Sequence, residues 1–164
     1  MSSSSSSDGV RLPGVVVRPA TLADLDVLVQ FNAAIAKETE GRKLDMERLR
    51  KGTRAVLESS ERGYYLVAET ESVVVGQLFI TYEWSDWRNG VFWWIQSVYV
   101  EPSVRGRGVY RALHERVLRD ARARGDVCGL RLYVESENEA AREAYTRLGM
   151  TMTPYRVYEQ DFVL

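Results

Sequence analysis

The spacing of apolar residues divides the first third of the chain into one strand and two helices. Val15–Arg18 is a short apolar run that predicts a strand, and Pro19 ends it. After Thr21, a residue type that caps helices, leucine and valine recur at helical spacing and predict a helix to about Thr39. A second apolar stripe predicts another helix from near Asp45.

The spacing of apolar residues then shortens to the two-residue period of a strand. Three segments rich in β-branched and aromatic residues are separated by polar, turn-like connections: Tyr64–Glu69, Val73–Tyr82 and Val91–Val100. Pro102 ends the third segment, because proline cannot donate a ladder hydrogen bond. Short polar connections are typical of antiparallel neighbours, so these segments predict a meander.

Helices and strands alternate in the last third of the chain. The pattern predicts a helix at Val109–Arg124, a strand at Cys128–Val134 and a helix that ends at Gly149. Ser136-Glu-Asn-Glu139 has the spacing of a capping box at the start of that helix, and a last strand is expected at Tyr155–Tyr158. The chain is therefore predicted to be a single domain of the α/β (mixed α+β) class.

Composition narrows the kinds of function. The chain of 164 residues is 45% hydrophobic and 27% charged, as in ordinary globular proteins, and its net charge of −1 gives no field that favours nucleic acid or a membrane. Its single cysteine excludes an internal disulfide, and its single histidine disfavours a metal site or a Ser–His pair. No apolar run approaches the roughly 20 residues that span a bilayer, and no signal peptide is recognisable, so we expect a cytoplasmic protein.

The N-terminus differs in composition from the rest. Residues 1–14 contain a serine run followed by glycine and proline, have little to bury, and are predicted to be a disordered tail. The predicted domain therefore covers residues 15–164.

The segment Arg105-Gly-Arg-Gly-Val-Tyr110 joins a predicted strand to a predicted helix. Such a loop exposes backbone N–H groups at the positive end of the helix dipole, which suits a phosphate or pyrophosphate, and arginine adds charge-assisted hydrogen bonds. A plain structural turn is an equally good interpretation of the loop alone. A Walker A loop is excluded because Gly-Lys-Ser/Thr is absent, and the antiparallel context disfavours a dinucleotide-binding fingerprint.

A second motif, Asn138-x-x-Ala141-x-x-x-Tyr145-x-x-Leu148-Gly149-Met150, follows the next strand. Together with the Arg/Gly loop it resembles the GNAT superfamily of acyl-CoA N-acyltransferases, whose patterns are Gln/Arg-x-x-Gly-x-Gly/Ala and Asn-x-x-Ala-x-x-x-Tyr-x-x-x-Gly-Phe. The resemblance extends over the whole chain except the serine tail. It implies a central, mostly antiparallel mixed sheet flanked by helices, acetyl-CoA as cosubstrate and no metal. Tyr110 stands where the family prefers glycine or alanine.

The resemblance also implies a coenzyme site in two parts. Backbone groups of one strand would pair with the pantetheine arm, and the Arg/Gly loop would bind the pyrophosphate. The matching positions are Val98, Tyr99 and Val100 in the strand, and Arg105, Gly106, Arg107, Gly108, Val109 and Tyr110 in the loop. Asn138 would hydrogen-bond near the pantetheine, or serve only as a helix cap.

For catalysis, the resemblance implies direct attack of an amine on the thioester. Tyr145 is the predicted general acid, because a phenol with a pKa of about 10 can protonate a leaving thiolate. A core aromatic is the alternative interpretation of Tyr145. A backbone N–H near Tyr99 would hold the oxyanion. The candidate general bases are Glu83, Glu101 and Glu135, although a glutamate in such a position is more often a solvated surface charge.

The acceptor is predicted only as a primary amine on a small molecule or peptide. The loop between the first two helices carries Glu38 and Glu40, which are explained first as a solvated charge run and, as the alternative, as carboxylates that attract an ammonium group. Core or dimer-interface packing is the first expectation for at least two of the tryptophans, and an acceptor pocket is the alternative for this set: Trp84, Trp87, Trp93 and Trp94. A homodimer is compatible with this aromatic content.

Two other functions fit parts of the sequence. A CoA-binding regulatory module without transfer activity would keep the Arg/Gly loop and lack a working acid and base. A nucleic-acid-binding domain would use the arginine-rich helix at 111–124, but Glu115 and Asp120 interrupt its positive face. Cys128 is expected in the core, and His114 is interpreted as a helix-surface or packing residue.

Overall fold

The computed structural model describes residues 12–163, which form two compact units, residues 12–133 and residues 134–163. The predicted disorder of the serine tail falls mainly on residues 1–11, which lie outside the described residues. Leu12 is described, and its N–H donates to the carbonyl oxygen of Arg107 at 2.9 Å. Within residues 12–163, no helix is both long and apolar enough to cross a bilayer.

The described part of the first unit has five strands and three α-helices. In chain order they are β1 (Val16–Pro19), α1 (Leu25–Glu40), α2 (Met46–Leu57), β2 (Tyr64–Thr70), β3 (Val73–Ser85), β4 (Gly90–Val100), α3 (Val109–Arg124) and β5 (Val127–Leu132). Short 3-10 turns at Leu22–Asp24 and Pro102–Val104 precede α1 and follow β4. Helix α3 has the predicted bounds, and the predicted fold class is confirmed.

The five strands form one sheet in the order β1-β2-β3-β4-β5. Neighbours are antiparallel from β1 to β4, whereas β4 and β5 are parallel. The pairing of β4 with β5 ends at Ile95 and Leu132, although β4 continues to Val100. We call the opening beside the last five residues of β4, Gln96–Val100, the splay.

Helices cover both faces of the sheet. Helix α3 packs on one face, where Leu78, Ile80 and Leu113 are fully buried, and α1 covers the other around Leu28 and Val67. Burying such side chains supplies about 1.5–3 kcal/mol each. The start of α3 lies against Gly76, near the beginning of β3, and against the end of β4, next to the splay.

Two sequence predictions about strands are corrected in the first unit. Strand β3 continues through Trp84 to Ser85, where the sequence predicts a turn-like connection, because the β3–β4 ladder extends to the pair Ser85 and Gly90. Cys128 is exposed on β5 rather than buried, because β5 is the edge strand and has a single neighbouring strand.

The second unit contains α4 (Glu139–Arg147). Its cap is Asn138, whose Oδ1 accepts from the Ala141 N–H at 3.1 Å, so the predicted capping role of Ser136 is wrong. Residues 151–163 contain no strand, and the strand predicted at Tyr155–Tyr158 is therefore wrong as well. The pattern has strand propensity, but a strand also needs a hydrogen-bonded neighbour, and Tyr158 is 95% exposed.

Candidate active site

The Arg/Gly loop leads directly into the first turn of α3. Gly106 and Gly108 have φ angles of 74° and 86°, in the left-handed region that favours glycine. Gly108 is the N-cap residue of α3, and the first four N–H groups of a helix have no acceptor within it. Backbone amides and the positive end of a 16-residue helix therefore converge at this loop.

Arg105 links the Arg/Gly loop to β4 and to α1. Its Nε donates to the carbonyl oxygen of Val100 at 2.8 Å, and its Nη2 donates to Glu38 Oε2, at the end of α1, also at 2.8 Å. Its guanidinium carbon lies 5.4 Å from the centre of the Tyr99 ring. Because both members of the ion pair are about half exposed, the pair contributes at most about 1 kcal/mol and can exchange partners. The phosphate-binding role of Arg105 stays a prediction.

The side chain of Tyr110, the residue that departs from the family pattern, lies along α3. Its hydroxyl is 3.1 Å from Nδ1 of His114, one turn further on. His114 is only 1% exposed and is therefore a packing residue, as one of the two sequence interpretations holds. Burial lowers the pKa of His114, so its ring is neutral at pH 7. The Tyr110 ring is thus held beside the helix while its N–H belongs to the first turn.

Strand β4 carries a bulge beside the splay. The register passes from the pair Phe79 and Gln96 to the pair Gln77 and Tyr99, so that one residue of β3 faces Ser97 and Val98. Ser97 has a φ of 48°, which is uncommon for a residue other than glycine. The bulge interrupts the ladder among the residues predicted to pair with pantetheine. Sequence patterning missed it, because an extra residue in an apolar strand leaves the composition unchanged.

Two of the three candidate bases lie in the first unit. Glu83 accepts hydrogen bonds from Arg131 at 2.5 Å and from Trp94 Nε1 at 3.2 Å, so two donors already hold its carboxylate. Glu101 follows the end of β4, and its N–H donates to the carbonyl oxygen of Val75 at 2.8 Å. Glu135 lies in the second unit and is exposed. All three assignments stay predictions.

The four tryptophans do not line one pocket, and the core packing that the sequence favours for at least two of them is found for Trp93. Trp93 is 3% exposed and belongs to the core under α3, whereas Trp87 is 88% exposed near the β3–β4 turn, beside the exposed Trp84. Trp94 points to the opposite face from Trp93, because side chains alternate along a strand. It lies beside the splay, with its ring 4.5 Å from that of Tyr133.

Asn138 and Tyr145 lie in the second unit, and their catalytic and binding roles stay predictions. The side chain of Asn138 caps α4, as one of its two interpretations holds. Tyr145 is partly buried, and burial raises the pKa of its phenol. The phenol is therefore protonated at neutral pH, which is the state that a general acid needs. Residues 12–163 contain no cluster of three or more His, Cys, Asp or Glu side chains that could hold a metal ion.

Comparison with known proteins identifies the class to which this fold and loop belong. The sequence profile of the acetyltransferase (GNAT) family matches residues 31–150. The chain therefore belongs to this family, as its motifs predict. A solved structure of a possible acetyltransferase from Clostridium difficile 630 is 42% identical and superposes with a TM-score of 0.83, over 92% of this chain and 99% of that one.

Two further relatives are informative. A predicted acetyltransferase from Clostridium acetobutylicum, solved with acetyl-CoA, shares the fold at 19% identity and a TM-score of 0.73, over 89% of this chain and 96% of that one. The mycothiol acetyltransferase of Beutenbergia cavernae is 48% identical over 61 residues, which are 37% of this chain. The match spans only 20% of the length of that curated relative.

Proposed function

We propose that the protein transfers an acetyl group from acetyl-CoA directly to a primary amine, in the cytoplasm. The observation that carries the proposal is the loop at the start of α3, where two glycines with left-handed φ angles present backbone amides next to the splay. Membership of the acetyltransferase family and the predicted Tyr145 motif support the same chemistry.

The residues at this loop fit a pyrophosphate. A Cβ atom built on Gly106 meets no atom within 4 Å, so the loop has open space on that side. The backbone amides of Gly106–Tyr110 would bind the phosphate oxygens, and Arg107 would add a positive charge. Arg105 would join them by leaving the exposed carboxylate of Glu38.

The chemistry is a direct transfer without a covalent enzyme intermediate. The amine nitrogen forms a bond to the thioester carbon, and a backbone N–H of β4 near Tyr99 stabilises the oxyanion. As the carbon–sulfur bond breaks, the Tyr145 phenol donates its proton to the sulfur. The proton of the attacking amine passes to a carboxylate, with Glu83 and Glu101 as the candidates in the first unit, directly or through water.

For the acceptor, we propose only the chemical class, a primary amine. Mycothiol acetyltransferase, the curated relative, shares too short a segment to transfer its substrate to this chain. An amine acceptor is supported by the carboxylates of Glu38 and Glu40 at the end of α1. Glu38 pairs with Arg105 and Glu40 with Arg42, so an ammonium group would replace Arg105 on Glu38 once Arg105 binds the pyrophosphate. Exposed apolar side chains in residues 152–163 support the further proposal of a homodimer.

The coenzyme site is tested by a matched pair of glycine substitutions. Gly106 and Gly125 have φ angles of 74° and 81°, and a Cβ atom on either meets nothing within 4 Å. Gly106→Asp should lower acetyl-CoA affinity at least about tenfold in calorimetry, because it puts a carboxylate among the phosphate-binding amides. Gly125→Asp, at the other end of α3, should leave the affinity unchanged. Equal affinity of both variants and the wild type would refute the site.

Transfer itself needs a separate assay. Thiol release from acetyl-CoA should rise on addition of at least one primary amine from a panel of polyamines, amino acids, aminoglycosides and lysine peptides. Tight acetyl-CoA binding without thiol release for any of them would refute transfer and support the CoA-binding regulatory module.

A further inference from the structure

Three buried polar side chains form a continuous hydrogen-bonded path from α1 to the bulge in β4. Nδ2 of Asn32 donates to the hydroxyl of Tyr65 at 3.0 Å. Nε2 of Gln77 donates to Oδ1 of Asn32 at 2.9 Å and to the carbonyl oxygen of Ser97 at 3.0 Å. We call Asn32, Tyr65 and Gln77 the bulge network. All three are buried, and Gln77 is 0% exposed.

The orientation of the Gln77 amide follows from its partners. The oxygen of Ser97 belongs to the main chain and can only accept, so the NH₂ group of Gln77 must face it. The other end of the amide, Oε1, is buried and has no hydrogen-bond partner among the described residues. Leaving such an oxygen unpaired costs about 1–3 kcal/mol, a cost that an apolar side chain would avoid. An apolar side chain would instead remove the donor that Gln77 supplies to Oδ1 of Asn32 and to the carbonyl oxygen of Ser97.

The contact with Ser97 fixes the direction of one peptide group. The described chain contains no cis peptide bond, so the carbonyl of Ser97 and the N–H of Val98 point in opposite directions across one planar unit. The carbonyl points to the side-chain amide of Gln77, which also contacts Asn32 of α1. The N–H of Val98 therefore points away from that amide. The splay lies beside this part of β4, since pairing with β5 ends at Ile95.

We propose that Gln77 is a positioning residue: it fixes the Ser97–Val98 peptide so that the Val98 N–H donates to the carbonyl oxygen of the acyl donor's thioester. Asn32 and Tyr65 hold the Gln77 amide in place. The inference rests on the proposed function, because it needs an acyl thioester beside the bulge. A donor that is already oriented stabilises the developing oxyanion without reorganisation. Gln77 acts through the backbone and does not touch the substrate.

The direct test is the carbonyl stretching frequency of bound acetyl-CoA, labelled with ¹³C at the thioester carbonyl, in difference infrared spectra. A hydrogen bond from Val98 should lower this frequency relative to free acetyl-CoA. Gln77→Leu should return it most of the way to the free value, while acetyl-CoA affinity changes less than about threefold. With an active amine, kcat should fall about 10–100-fold with little change in KM, somewhat less than the loss of a direct oxyanion donor.

Thr81→Val is the matched control. The Thr81 hydroxyl accepts from Gln96 at 2.5 Å, between the same two strands and close to the bulge, but does not bond to the bulge carbonyl. This variant should keep the wild-type carbonyl frequency. The inference is refuted if Gln77→Leu, folded and loaded with acetyl-CoA, also keeps it. Failure of the wild type to bind acetyl-CoA would instead refute the proposed function on which the inference rests.

A second variant decides the matter if Gln77→Leu does not fold. In Gln77→Glu the introduced carboxyl can donate to Ser97 only while it is protonated. The carbonyl frequency of bound acetyl-CoA should therefore approach the wild-type value as pH falls through the pKa of that carboxyl, and depart from it as pH rises. If Gln77 had only a structural role, the carbonyl frequency of bound acetyl-CoA would not change with pH in this way. A frequency that stays at the value of free acetyl-CoA even at the lowest pH at which the variant is folded would refute the inference.

Discussion

At the scale of single residues, the surroundings of a side chain determine its role more than its residue type does. Tyr110 and Tyr145 are both helical tyrosines in motif positions, and the sequence distinguishes them only by resemblance. In the structure the Tyr110 hydroxyl contacts His114, so this tyrosine is a packing residue of α3. Burial raises the pKa of Tyr145 and keeps its phenol protonated, which leaves it as the acid candidate.

Replacement of Tyr145 tests that assignment. Tyr145→Phe removes one oxygen and keeps the ring, so we expect kcat to fall about 10²–10⁴-fold, the usual contribution of general acid–base catalysis. Acetyl-CoA affinity should change little. Steady-state kinetics with an active amine and calorimetry measure the two effects. Tyr110→Phe, at the other tyrosine, is the comparison and should retain most of the turnover. Undiminished kcat in Tyr145→Phe would end the general-acid assignment.

At the scale of secondary structure, glycines determine how closely elements approach. A Cβ atom on Gly76 of β3 would lie 3.0 Å from Cγ1 of Val109 and 3.1 Å from the carbonyl oxygen of Tyr99. The first turn of α3 therefore rests directly on the sheet, which places the Arg/Gly loop beside the splay. Gly52, in exposed α2, has no atom within 4 Å of its Cβ position.

The two glycines should respond to alanine in opposite ways. Gly76→Ala forces α3 away from β3, and overpacking of this kind costs about 1–3 kcal/mol of unfolding free energy. Gly52→Ala should stabilise by about 0.5–1 kcal/mol, because alanine loses less backbone entropy in a helix. Urea unfolding measures both. A Gly76→Ala protein as stable as the wild type would show that α3 does not depend on this close approach.

At the scale of the whole molecule, the pH dependence of stability should report the buried histidine. Its folded pKa is lowered by burial, so below the ordinary value of 6.5 the unfolded chain takes up a proton that the folded chain does not. Unfolding free energy should therefore fall as pH drops below about 6.5, by about 1.4 kcal/mol for each pH unit until the folded pKa is reached. The chain has a single histidine, so one residue accounts for this range.

His114→Gln should remove the slope between pH 7.5 and pH 5, whatever its effect on stability at pH 7.5. Urea unfolding at a series of pH values is the measurement. The Asp24–Arg18 ion pair does not contribute to this slope. Arg18 lowers the pKa of Asp24 below the ordinary 3.8, so the stability that this pair supplies is lost only in more acidic solution. An unchanged slope in His114→Gln would show that another group titrates in this range.

Local patterns determined most of the elements, because period, caps and breakers act within a few residues of each other. Helix α3 has the bounds that its apolar stripe predicts, and the three strands of the meander pair as the turns between them imply. The strand predicted at Tyr155–Tyr158 is the exception, because propensity without a pairing partner does not make a strand.

The sequence by itself determined the family and the position of the Arg/Gly loop, because both depend on residue types at fixed spacing along one stretch of chain. Only the tertiary structure decided what surrounds them. Gln77 meets Ser97 across 20 positions, and Arg105 meets Glu38 across 67. Trp93 and Trp94 are neighbours in sequence yet lie on opposite faces of the sheet. Such contacts depend on how strands and helices pack, and no local pattern records that packing.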